Sequence, residues 1–133
     1  MGFASDITAA LIEGRKLAES LMLDTCTVHT EAKSIDQNTG AEVIVKTPVY
    51  TGRVKIQTGA TQESTPEAGG ATLTVQRSEA HFPVGAFVPA VGQVITITAA
   101  ALDPLMVGLV FRVVALLHKS AGTAYRLSVE EVV

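Results

Sequence analysis

Over most of this chain apolar residues recur at every second position, and no helical run separates the alternating segments. A period of two places successive side chains on opposite faces of a strand. "MLDTCTVHTE" puts Cys26 and Val28 on one face. "AEVIVK" follows, and then "VYTGRVKIQ", in which Tyr50, Val54 and Ile56 oppose Thr51, Arg53 and Lys55. "ATLTVQR" turns Leu73 and Val75 inward, and "QVITITA" does the same with Ile95 and Ile97. In "TAYRLSVEEV", Tyr125, Leu127 and Val129 alternate with Arg126, Ser128 and Glu130. "GLVFRVVALLH" is apolar on both faces, with Leu109, Phe111, Val113, Ala115 and Leu117 on one and Val110, Val114 and Leu116 on the other. Such a strand is central in a sheet, or lies in a barrel under a covering helix, or turns one face to another protein.

Turn chemistry punctuates these runs at Asp36, Asn38 and Gly40, at Asp103-Pro104, and at Ser120-Ala121-Gly122. The prolines of "AHFPVGAFVPAVGQ" keep that stretch out of a central strand. About seven short strands with turns between them predict a mainly β fold, a small antiparallel barrel or sandwich. Without intervening helices, a parallel α/β sheet is not expected.

One segment has a helical period. Ile7, Leu11, Gly14, Ala18 and Leu21 recur at spacings of four and three, Ser5 is placed to cap, and Asp6 suits the positive end of the helix dipole. The pattern predicts an amphipathic helix over Ser5–Leu21. Ile12 and Leu17 fall off the main stripe, so more than one side has an apolar surface to cover. The helix either packs on its own domain or docks on a neighbouring subunit.

The 133 residues suit a single domain, residues 1–133. With 47% hydrophobic but only 5% aromatic residues, the core is aliphatic and stacking platforms for bases or sugars are scarce. A net charge of −3 supplies no global attraction to nucleic acid or anionic lipid. The lone Cys26 has no partner for an internal disulfide and fits a reducing compartment. Neither a signal peptide nor a myristoylation site is expected at the N-terminus. The longest stretch free of Lys, Arg, Asp and Glu, Ala80–Leu102, is broken by Pro and Gly, so no membrane span is expected.

Convergent chemistry is sparse. His29, His81 and His118 are far apart, and no spacing matches a metal site. Cys26 and His29 fall on opposite faces of a strand, which bars a nucleophile–base pair. "EAGGAT" lacks the Lys and the helix of a phosphate loop. No catalytic residue, metal or cofactor is expected, and the protein is not read as an enzyme. Arg53 and Lys55, with Arg77 or Arg112, offer charge for phosphate without the aromatic side chains of a single-strand reader.

From Gln57 to Ala71, "QTGATQESTPEAGGA" contains no aliphatic residue larger than alanine. A long structureless loop is uncommon within a small domain and is usually functional or disordered. The tract is read as a long polar loop joining two strands.

The order of segments from Leu21 onward resembles the head–tail connector proteins of long-tailed bacteriophages. The likeness is to the head-closure or stopper group, especially in phages of actinobacteria. It rests on "MLDTCTVHT", "DQNTG" and "PVYTGRVKIQ", a polar loop, then "FPV", "VGQVITI", "DPLMVGLVFRVV" and "TAYRLSVEEV". The resemblance implies a β-barrel subunit of a homo-oligomeric ring in the virion neck, assembled in the host cytoplasm. The ring would lie between the adaptor–portal complex and the tail terminator or tail tube. Packaged double-stranded DNA would pass through its channel without sequence-specific binding.

On that likeness, Gln57–Gly70 maps onto a loop projecting toward the channel, with Gln57, Thr61, Gln62, Glu63, Thr65, Glu67, Gly69 and Gly70 as its residues. Ile7, Leu11, Leu17 and Leu21 map onto a helix contacting a subunit or the adaptor. Val110, Val114, Leu116, Tyr125 and Leu127 are candidates for the subunit flanks. Adaptor and tail-terminator roles are rivals within the class. A monomeric β-barrel module binding a small ligand or peptide is the rival outside it.

Overall fold

The computed structural model describes residues 3–64 and 73–132. A helix, α1 (Phe3–Ser20), precedes six strands: β1 (Asp24–Ile35), β2 (Glu42–Ser64), β3 (Leu73–Phe82), β4 (Val94–Ala100), β5 (Val110–Leu117) and β6 (Tyr125–Glu131). The strands form one closed antiparallel barrel in the order β1-β2-β3-β6-β5-β4, with β4 returning to β1. Closure removes the free edges that an open sheet of this size would expose.

The period-two reading accounts for the core. Cys26 and Val28, Ala80 and Phe82, Ile95 and Ile97, Phe111 and Val113, and Leu127 and Val129 are buried pairs from five strands, and β2 adds Val54. Each fully buried aliphatic side chain contributes about 1.5–3 kcal/mol relative to exposure. At one side of this core the rings of Tyr50, Phe82 and Phe87 pack together. Phe82 meets Phe87 edge-on at 4.9 Å between centroids, and Tyr50 stacks on Phe87 at 5.3 Å.

Six strands replace the expected seven because "AEVIVK" and "VYTGRVKIQ" are one strand. Pro48 does not break it. The β1–β2 register shifts between Val28 and His29, so that Val28 faces Tyr50 and His29 faces Pro48, leaving Val49 as the extra residue. A proline, which has no N–H to give to the ladder, is accommodated at such an irregularity.

A second bulge corrects the face assignment in β5. The β5–β6 register shifts between Val113 and Ala115, making Val114 the extra residue. One added residue reverses the side of everything after it. Leu116 therefore packs against the core, while Leu117 is exposed.

The turns follow their chemistry. At the β1–β2 tip, the Asp36 carboxylate accepts from the Asn38 N–H at 2.9 Å, and Gly40 alone takes a positive φ, of 70°. Asp103 caps a single 3-10 turn, Pro104–Met106, by accepting from the Leu105 N–H at 3.0 Å. Gln93, 5% exposed, ties down the proline-containing connection before β4. Its side-chain oxygen accepts from the Ala90 N–H at 2.8 Å, and its side-chain nitrogen donates to the Val88 carbonyl at 3.3 Å.

Helix α1 begins two residues earlier than its expected start at Ser5, so Ser5 lies within the first turn instead of capping it. Its second half touches the barrel at the β5–β6 connection. Arg15 Nε donates to the Gly122 carbonyl at 3.3 Å, and a Cβ on Gly14 would stand 3.0 Å from the Thr123 methyl. From Ser5 to Ala10 the helix is exposed.

Candidate functional site

Two surfaces stand out from the barrel, and both are built on β2. Beyond His29, β1 pairs only with β2, and before Lys55, β2 pairs only with β1. The segments Thr30–Ile35 and Glu42–Thr47 therefore form a two-stranded ribbon outside the barrel. Directly opposed residues share a face, which gives the ribbon two different sides. One carries Thr30, Ala32 and Ser34 opposite Thr47, Val45 and Val43, all exposed and uncharged. The other carries Glu31, Lys33 and Ile35 opposite Lys46, Ile44 and Glu42. Its charges are internally matched, with Lys33 Nζ 3.5 Å from Glu42 and His29 Nε2 3.3 Å from Glu31.

The second surface is the opposite end of the same strand, where the polar tract was expected to be a loop. The backbone instead continues as β2 to Ser64, paired with β3. Thr61 faces Gln76, Gln62 faces Val75, Glu63 faces Thr74 and Ser64 faces Leu73. Gln57 is exposed in the ladder opposite Glu79. The tract has no large apolar residue, but its threonines favour extended backbone and the β-rich segment Leu73–Arg77 supplies a partner. An irregularity between Thr58 and Thr61 accommodates Gly59 and Ala60. Thr65, Glu67, Gly69 and Gly70 lie outside the described residues. Since β3 pairs with β6 only over Ser78–Phe82, the part of this hairpin beyond Ser78 is also two-stranded.

The expected interface residues divide. Ile7 and Leu17 are exposed on α1, Leu21 is exposed just beyond its end, and Leu11 is half-buried. Val114 is exposed and Val110 half-buried. Leu127 is 2% exposed and belongs to the core, with Leu116 and Tyr125 packed against it. These three are held by their own barrel, because β6 turns its odd positions inward and the β5 bulge brings Leu116 to the same side. Sequence alternation shows which face Leu127 occupies, but cannot say whether that face is the inside of the barrel or a contact with a neighbour. Sequence reading missed the ribbon's uncharged strip, although the alternation of Ala32 and Ser34 against Lys33 and Ile35 carries the signal.

Reactive groups are placed apart. Cys26 is fully buried, and burial, with the Asp24 carboxylate second, pushes its thiol up to about 12. His29 bonds Glu31, and His81 bonds Glu79 at 3.0 Å, each within its own strand. No three His, Cys, Asp or Glu side chains converge on a metal-sized site among the described residues. What the geometry presents is two hairpin arms and an exposed helical end.

A family model described as a family of unknown function (DUF6093) matches residues 14–130, and the chain belongs to that family. No curated protein and no solved structure matches it.

Proposed function

We propose that the protein is a structural ring subunit of the head-closure type in the neck of a long-tailed bacteriophage. The observation that carries this reading is the protrusion of β2 from both ends of a closed barrel as two hairpin arms. An isolated two-stranded ribbon is marginal in water, so a neighbour covering its uncharged face supplies missing stability. A closed ring uses head-to-tail contacts and needs two different adhesive surfaces on each subunit. The ribbon and the exposed start of α1, around Ile7, are two such surfaces.

In this reading the β2–β3 hairpin reaches toward the channel. Between Gln57 and Ala71 it carries Glu63 and Glu67 and no Lys or Arg. A channel element of that composition obstructs DNA sterically without gripping its phosphates. The adaptor–portal complex and the tail are the partners on either side.

Native mass spectrometry and electron microscopy of the protein, alone and with a connector complex, test the reading. A ring docked on the connector is expected. A monomer at all concentrations that ignores the connector sinks it and favours a monomeric binding module. A ring seated on the tail tube alone favours a tail terminator. Deleting Gln62–Gly69 is expected to leave the ring intact and let packaged DNA escape.

A further inference from the structure

Three adjacent strands place basic side chains in one row on the outside of the barrel. Lys55 on β2 is directly opposite His81 on β3, and His81 is directly opposite Arg126 on β6. Glu79 engages His81, but among the described residues neither Lys55 nor Arg126 has an ion-pair partner within 4.0 Å. The row forms one wall of a cavity of about 370 Å³, and Leu17 of α1 and Leu21 just after it line the other side. A neighbouring cavity of about 280 Å³ shares Arg126 and adds Arg15, His118 and Lys119. Neither cavity has an Asp or Glu in its lining.

We propose that the groove between α1 and the outer face of β2, β3 and β6 binds an extended acidic peptide segment of a partner protein. Its carboxylates meet the Lys55–His81–Arg126 row, and its apolar side chains lie against Leu17 and Leu21. Charge complementarity identifies the occupant: a carboxylate bonded to Arg or Lys makes a short charge-assisted hydrogen bond, and neither Lys55 nor Arg126 has such a partner among the described residues. Shape argues for a peptide over duplex DNA. A duplex carries its phosphates on a broad convex cylinder that cannot enter between a helix and a sheet, and it has no use for the leucine wall. An extended strand fits such a slot and alternates its side chains between the two walls.

This inference goes beyond the ring reading and does not depend on it. The probe is a short fluorescein-labelled peptide of Glu-Leu-Glu-Ser repeats, followed by fluorescence anisotropy on the full chain. Saturable binding that weakens with added salt is expected. The double variant Lys55→Met/Arg126→Met keeps the aliphatic stems. It is expected to bind about tenfold more weakly, equivalent to about 1.4 kcal/mol, with an unchanged circular-dichroism melting curve. Lys33→Met/Lys46→Met makes the same charge change on the ribbon and is expected to bind as wild type.

No saturable binding of the glutamate peptide overturns the proposal. So does an equal loss in the ribbon variant, or a DNA duplex that binds more tightly and depends on Lys55 and Arg126. If the groove variant melts early, Lys55→Gln and Arg126→Gln are measured singly, and wild-type affinity in both overturns it too. A monomer that binds the peptide would refute the ring and leave this inference standing.

Discussion

The phenol of Tyr50 folds back over Gly52, so that a Cβ at position 52 would stand 2.6 Å from its oxygen. The hydroxyl donates to the Arg53 carbonyl at 2.8 Å, and the ring is held between Phe82 and Phe87. The ring cannot swing aside without breaking that cluster. Gly52→Ala is therefore expected to cost about 1–3 kcal/mol, as overpacking does. In a Tyr50→Leu background the added cost of Gly52→Ala should shrink, because neighbouring substitutions couple. Urea unfolding of the four proteins of this cycle measures both.

Leu127 and Val114 lie on adjacent strands but answer to different forces. Leu127→Ala empties a core position and is expected to cost about 2–5 kcal/mol. Val114 is exposed at a bulge, and Val114→Ala should stay within about 0.5 kcal/mol of wild type. Thermal melts decide; equal losses would mean that Val114 is covered by the fold.

The Cys26 thiol has its ordinary value, near 9, only when the chain unfolds. Between that value and about 12 the folded protein keeps a proton that the unfolded chain has released. Stability is therefore constant below about pH 9 with respect to this group and falls as pH rises toward 12. Burial also raises the Tyr50 phenol, which adds to the decline. Cys26→Ala should flatten part of the slope, as read from urea midpoints at pH 8 and 10.5. A thiol reagent at pH 8 should react with the native protein only as fast as the barrel opens.

The ribbon and helix variants separate assembly from folding. Val43→Lys with Val45→Lys charges the uncharged strip, and Ile7→Glu charges the exposed start of the helix; all three positions are exposed. Each variant should melt within a few degrees of wild type. In the ring reading each should leave only monomer in sedimentation velocity, whereas Lys33→Ala on the ribbon's other face should assemble normally.

Much of the barrel was legible because alternation is local. Cys26 with Val28, Ile95 with Ile97, and Phe111 with Val113 each announce an inward face within three residues, and all six are buried. The bulges at Val49 and Val114 were not legible, since a register shift is a relation between two strands and leaves no mark on one. The place of Pro48 within β2 is hidden for the same reason, since its tolerance depends on what lies opposite. The polar tract looked like a loop because it has nothing to bury, yet the β2–β3 ladder runs on through Thr61–Ser64 on backbone hydrogen bonds, to which side-chain hydropathy is blind.

Strand β2 is 23 residues long and belongs in turn to the ribbon, the barrel wall and the second hairpin. A strand of that length reaches roughly 75 Å at about 3.3 Å per residue. The two projections are thus ends of one continuous strand, bulged at Val49 and between Thr58 and Thr61 but interrupted by no turn. A pull on either end is carried straight down the backbone and loads the flanking ladders in shear, many hydrogen bonds sharing the strain at once.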